Sequence, residues 1–179
     1  VHTRHGYGSV DTFWATYDHT GQAVWARAAG STSSDAICDL TVDSTGSVYV
    51  TGTYSGAQMK FGDIEIHLHQ PGDWSNDLFI AKYDAAGNAV WALGGTQEVS
   101  EAGGRGIGVD DAGQVYVTGG FHDSISFGDL QLESQGHYDL FLLKLDPSGR
   151  ARWALGIGGE YQDGRFAPVV PAPDGSVFI

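Results

Sequence analysis

The chain has 179 residues, 41% hydrophobic and 17% charged, a globular composition with length enough for a sizeable core. Nine Lys and Arg against 22 Asp and Glu give a formal charge of -13, which repels phosphate backbones and anionic lipid surfaces and argues against nucleic acid as a partner. No apolar run approaches the roughly 18 residues that a membrane-spanning helix needs, and a single cysteine, Cys38, rules out an intrachain disulfide. The opening at Val1, with no charged n-region and apolar core, reads as a processed product or a piece of a longer chain.

The first predicted element is a β-hairpin from Asp11 to Gly30, DTFWATYDHTGQAVWARAAG. Short apolar runs rich in Phe, Tyr, Trp and Val are strand chemistry, and between them stands D-x-x-G, Asp18 to Gly21. An Asp side chain can bond the amides of a tight turn, and Gly supplies the positive φ that closes a type I turn with a bulge. A second hairpin follows, LTVDSTGSVYVTG from Leu40 to Gly52, with the same turn. KFGDIEIHL, Lys60 to Leu68, then alternates with period two and predicts an extra ribbon, entered through a Phe-Gly-Asp turn, on one edge of the unit.

The same order is written again. An Asp77 to Gly95 hairpin precedes an Ile107 to Gly119 hairpin and a ribbon at Ser126 to Ser134, and a third copy runs from Asp139 to Gly159 with a weaker second hairpin at Val170 to Ile179. Trp25, Trp91 and Trp153 are 66 and 62 residues apart. Two hairpins per period make four strands, the arithmetic of a propeller blade. A β-sandwich does not predict near-identical hairpins at this period, and a solenoid coil is much shorter. The fold expected is therefore an all-β β-propeller built of four-stranded blades, about three blades' worth. Residues 1–34 hold the outer hairpin of a first blade, 35–101 a second blade, 102–163 a third, and 164–179 the inner hairpin of a further one. The Gly-rich GRGIGVD strand is expected innermost and the Trp strand outermost. Closing a ring takes about four to eight blades, so further blades of the same chain or a homo-oligomer are expected. The break at Ile179, inside what would be YVTG, favours the longer chain.

The pattern D-x-F-x-A-K-Y-D-x-x-G-x-x-x-W, then G-G, V-D-x-x-G-x-V-Y-V-T-G and F-G-D, resembles the bacterial SBBP (seven-bladed beta-propeller) repeats, over nearly the whole chain from Asp11. The resemblance implies a secreted, cell-surface or periplasmic propeller, usually part of a larger protein, with no general catalytic residues to carry over. The last copy departs from it, with Pro171, Ala172 and Pro173 where the Val-Asp pair belongs.

Candidate sites are few. YDHTGQAVW, Tyr17 to Trp25, looks like the tryptophan-docking motif of pyrroloquinoline-quinone dehydrogenases, but its Asp and Gly are one residue closer and the cysteine pair is missing. Trp25, Trp91 and Trp153 are better read as packing between neighbouring blades. The loops joining blades carry acids: Asp35, Glu98, Glu101 and Asp163. Gathered around a propeller axis they could hold Ca²⁺, a hard ion taking six to eight oxygens; the plainer reading has them bonding turn amides. Glu65, His67 and His69 share one strand face, a carboxylate with H-x-H that could ligate zinc, although Gln131 and Glu133 occupy the matching places in the next copy. Tyr54, Trp74, Phe121 and Tyr138 are expected as exposed loop aromatics that stack on sugar rings or anchor a partner. The function expected is a non-enzymatic scaffold or binding module for a protein or polysaccharide, with no cofactor expected and calcium the one ion the loop acids could hold. The alternatives are a quinone- or metal-dependent enzyme and a self-assembling filament or surface protein.

Overall fold

The computed structural model describes residues 11–67, 76–95, 102–161 and 168–179. Among them the chain is all-β, with sixteen strands and no helix. The outer hairpin β1 (Thr12–Tyr17) and β2 (Ala23–Ala29) forms a two-stranded sheet. A four-stranded antiparallel sheet follows, made of β3 (Asp35–Val42), β4 (Val48–Tyr54), β7 (Asp77–Tyr83) and β8 (Ala89–Gly94) in that order. Between its second and third strands the chain inserts the ribbon β5 (Gln58–Phe61) and β6 (Ile64–His67). The next four-stranded sheet repeats this with β9 (Ala102–Val109), β10 (Val115–Phe121), β13 (Asp139–Leu145) and β14 (Ala151–Ile157), interrupted by the ribbon β11 (Ser124–Phe127) and β12 (Leu130–Glu133). The short hairpin β15 (Val170–Pro171) and β16 (Val177–Phe178) comes last. These are successive propeller blades; among the described residues they do not close into a ring.

Local chemistry explains why each hairpin turns where it does. In the first, the Asp18 Oδ1 accepts the amides of Thr20 and Gln22 at 2.8 and 2.9 Å and the Thr20 hydroxyl at 2.6 Å. Gly21 follows at φ +82°, a region that costs any L side chain steric energy. The same positive φ recurs at Gly46, Gly87, Gly113 and Gly149. In the last hairpin Gly175 keeps it at +86°, although Ala172 stands where the Asp would be and Asp174 bonds Ser176 instead. Outer hairpins also carry the expected bulge, a register shift between Thr16 and Tyr17, Lys82 and Tyr83, and Lys144 and Leu145.

The core lies between sheets rather than within one. Trp14 and Ala29 of the first hairpin meet Val48, Val50, Phe79, Ala81 and Tyr83 of the second blade, roofed by Met59, Phe61 and Ile66 of the ribbon. Tyr49, Leu78 and Ile80 then meet Ile107, Val115, Phe141, Leu143 and Leu145 of the third blade, with Ile125 and Phe127 of its ribbon. Each fully buried aromatic or branched side chain in these layers stabilises the stack by about 1.5–3 kcal/mol relative to exposure.

Blades approach closely because β9 is nearly bare. A Cβ on Gly104 would fall on the Thr51 hydroxyl, and one on Gly103 would come within 2.6 Å of the Thr51 neighbour Thr53. The Ile107 amide accordingly reaches across to bond Asp39 at 2.9 Å. Phe-Gly-Asp proves to be the tip of the ribbon and not its beginning: Phe61 pairs with Ile64 across Gly62, at φ +64°, and Asp63. A two-residue hairpin with glycine first is a turn that matches strand twist.

Candidate functional site

Strand direction puts the inner and outer turns at one end of the stack. A Cβ on Gly46 of the inner turn would lie 3.3 Å from Ala85 of the outer turn, and one on Gly113 3.4 Å from Pro147. This turn end holds the two features that stand out functionally, a set of joints and an acidic groove.

Each joint is made by a tryptophan. The Trp25 indole N–H donates to the Ala85 carbonyl of the next blade's turn at 3.0 Å, and Trp91 donates to Pro147 at 3.1 Å. The rings lie on the turn glycines: Cβ atoms at Gly87 and Gly149 would stand 2.8 and 2.9 Å from Trp25 and Trp91 Cδ2. Arg27 reinforces the first joint, donating to Gly87 O and, at 3.0 Å, to Ala86 O. Trp25 and Trp91 therefore pack between blades, as their repetition suggested. Trp153 repeats the donor, but among the described residues its indole N–H has no acceptor.

The carboxylates of the turns are fixed by the turns' own amides. Bonds from the Thr20 hydroxyl and the Gln22 amide hold Asp18 below the usual carboxylate range, and the Asn88 amide and side chain do so for Asp84. Ser148 and Ser176 act likewise on Asp146 and Asp174. At Asp43 partial burial pushes the other way, yet bonds from the Thr45 hydroxyl, the Ser47 amide and the Tyr49 hydroxyl lower its pKa to about 2. Asp110 binds the amides of Ala112 and Gln114 at 3.0 and 2.8 Å and the Tyr116 hydroxyl at 3.2 Å. Beside it a groove of about 400 Å³ opens between the third blade and the last hairpin, lined by Asp110, Asp111, Pro171, Pro173 and Asp174. Asp111, the next residue of the same turn, is exposed, and the bonds that fix the turn go to the Asp110 carboxylate rather than to its own.

Three of the four aromatics expected on exposed loops are buried. Tyr54 and Phe121 are 0% exposed and Tyr138 is 7% exposed. The first two end β4 and β10, the second strands of their sheets, each paired on both sides; Tyr54 lies between Asp35 and Asp77. Burial first, and then those two carboxylates, push the Tyr54 hydroxyl pKa up. Tyr138 packs against Gly120, where a Cβ would collide with its ring. None of the three offers a stacking face, and Trp74 lies outside the described residues.

Asp35 is buried and holds the loop between blades, accepting the Ser31 amide at 2.6 Å and the Ser31 hydroxyl at 2.7 Å. Burial raises its pKa, and the bonds from Ser31 oppose that shift. Glu98, Glu101, Asp163 and His69 lie outside the described residues. Glu65 pairs with Lys60 at 3.3 Å and sits 3.4 Å from the exposed His67. Among the described residues no group of three His, Cys, Asp or Glu side chains is placed to hold a metal ion. The groove escaped sequence reasoning because its walls come from turns more than 50 residues apart.

No protein-family model matches the chain. It is similar to an uncharacterized WD repeat-containing protein of Acanthamoeba polyphaga mimivirus, 27% identical over 126 residues, which is 65% of this chain. The chain spans 8% of that protein's length. Similarity to a repeat-containing protein accords with the repeated four-stranded sheets described above.

Proposed function

We propose that the chain is a non-enzymatic β-propeller scaffold that holds a protein partner at the turn end of its blades, the partner presenting Lys or Arg side chains. The observation that carries this is the groove rimmed by Asp110, Asp111 and Asp174 on a chain of charge -13. Fixed carboxylates facing a cleft attract cations and speed their encounter. Protein is preferred to polysaccharide because Tyr54, Phe121 and Tyr138, three of the aromatics expected to stack on a sugar ring, are buried. The name of the mimiviral relative, which speaks of WD repeats, supports a propeller module. An extracellular setting belongs to the same proposal and rests on the resemblance to SBBP repeats.

The test is binding of fluorescent Lys- and Arg-rich peptides, with an acidic peptide of equal length as control. Basic peptides should bind and the acidic one should not. Added salt should weaken binding, and Asp111→Lys, which leaves the turn bonds intact, should lower affinity about fivefold or more. Equal affinity for both peptides, or binding indifferent to salt and to Asp111→Lys, would overturn the proposal.

A further inference from the structure

The two tryptophan joints are built alike except for one side chain. Trp25 and Trp91 donate to the carbonyls of matching turns, where Gly87 and Gly149 have φ +79° and +86°. In those turns Asp84 accepts the amides of Ala86 and Asn88, and Asp146 those of Ser148 and Arg150. Arg27 closes the first joint: its guanidinium donates to the Gly87 carbonyl and, at 3.0 Å, to that of Ala86, with Cζ 5.4 Å from the Trp25 ring centroid. At the matching place in the second joint, two residues after Trp91, stands Leu93, which has nothing to donate. Among the described residues no side chain donates to the Ser148 and Gly149 carbonyls.

The space that the arginine takes in the first joint is open in the second. A cavity of about 320 Å³ lies between Leu93 of β8, the ribbon tip at 127–130 and the Gly149 turn of the third blade, at the small end of the range for ligand sites. Gly87 is accordingly buried and Gly149 only half-buried. A Cβ on Gly62, at the first ribbon tip, would lie 3.9 Å from Ala89, whereas nothing lies within 4 Å of one on Gly128, so the second tip stands further from its turn. Leu93, Phe127 and Leu145 give the cavity apolar walls, and Asp129 and Arg150 are the charged residues that line it.

We propose that this cavity binds an arginine side chain of a partner protein, seated as Arg27 is in the first joint. The incoming guanidinium donates to the Ser148 and Gly149 carbonyls beside the Trp91 indole, and its methylenes lie on Leu93 and Phe127. Arginine is selected over lysine because a planar fork meets two carbonyls at once, while an ammonium is a compact and more strongly hydrated donor. Asp129 attracts the ligand. Arg150 opposes it, where the first joint has the neutral Asn88. The site rests on the reading of a partner that presents basic side chains, but it is separate from the acidic groove, whose Asp111 does not line it.

Titration of the isotope-labelled chain with N-acetyl-arginine amide, and with its lysine analogue, tests the proposal by NMR. The arginine compound should shift the Trp91 indole N–H and the Leu93 methyls saturably and bind about fivefold or more tighter than the lysine compound. Arg150→Asn should tighten it about twofold by removing a like charge. Leu93→Arg should fill the cavity from within the chain, abolishing the shift at Trp91 and raising Tm by about 2–4 °C. Arg27→Leu should open the same site in the first joint, so that Trp25 shifts as Trp91 does. Asp111→Lys should leave the shift at Trp91 unchanged, so failure here is distinguishable from failure of the groove. No saturable shift at Trp91 in the parent chain, equal affinity for the lysine compound, or undiminished binding to a folded Leu93→Arg chain would overturn the proposal. Should Leu93→Arg not fold, an unmoved Trp25 in Arg27→Leu would overturn it as well.

Discussion

Glycine-to-alanine substitution at equivalent turns separates backbone strain from the joint itself. Gly21, Gly87 and Gly149 all have positive φ, so alanine costs each about 1 kcal/mol of conformational strain. At Gly21 nothing else is disturbed, because no atom lies within 4 Å of the new Cβ. At Gly87 the Cβ would come within 2.8 Å of Trp25 Cδ2 and 3.0 Å of Arg27 Cζ, and the indole must move. Movement weakens the 3.0 Å bond to Ala85, worth about 1 kcal/mol, together with the ring contact. Gly21→Ala should therefore cost about 1 kcal/mol, and Gly87→Ala and Gly149→Ala about 2–3 kcal/mol. In a protein of this size that is a fall in Tm of about 3 °C against about 4–12 °C. The assay is thermal and urea unfolding followed by far-ultraviolet circular dichroism. Equal losses at the three positions would refute the joint. Unchanged stability in Gly87→Val, where a β-branched side chain is still more strained, would refute the turn register.

Gly104→Ala should lower the urea midpoint by an amount worth about 2–3 kcal/mol, because its Cβ would meet the Thr51 hydroxyl and, at 3.0 Å, Leu78; Gly156→Ala, on open strand, should change it by less than about 0.5 kcal/mol. Asp43 governs an acid-sensitive part of stability. Its folded pKa, about 2, lies below the ordinary value of 3.8, so the charged form stabilises the fold above about pH 4 and that contribution disappears as pH falls through 2. Urea midpoints measured from pH 5 to pH 2 should fall less steeply in Asp43→Asn than in the parent chain; identical slopes would mean that the Thr45, Ser47 and Tyr49 bonds do not form in solution.

What the sequence displays plainly is whatever repeats locally. Asp18 to Gly21 and its copies announce their turns because the bonding partners lie within four residues of the Asp. The Gly-rich β9 is legible as a crowded strand, since only bare backbone tolerates Thr51 and Thr53 so close. Tyr54 and Phe121 read as loop residues because the T-G ahead of them looks like the end of a strand. The strand in fact continues through the glycine, where a Cβ on Gly52 would hit the Ala36 carbonyl. Tyr138 was misread for a related reason: Gly120 beneath it makes room for its ring. Joints and groove are long-range features. Trp25 meets Ala85 60 residues away, and no local pattern around either residue names the other.

The account turns most directly on the three repeated indoles, and their hydrogen exchange can be read in one ¹⁵N-labelled sample of the chain. The Trp25 and Trp91 Nε1–H groups, bonded to Ala85 and Pro147 of the following blade, should exchange slowly, while that of Trp153 should exchange at nearly the free rate. Fast exchange at Trp25 and Trp91, indistinguishable from Trp153, would contradict the stacked, tryptophan-jointed blades on which every other conclusion depends.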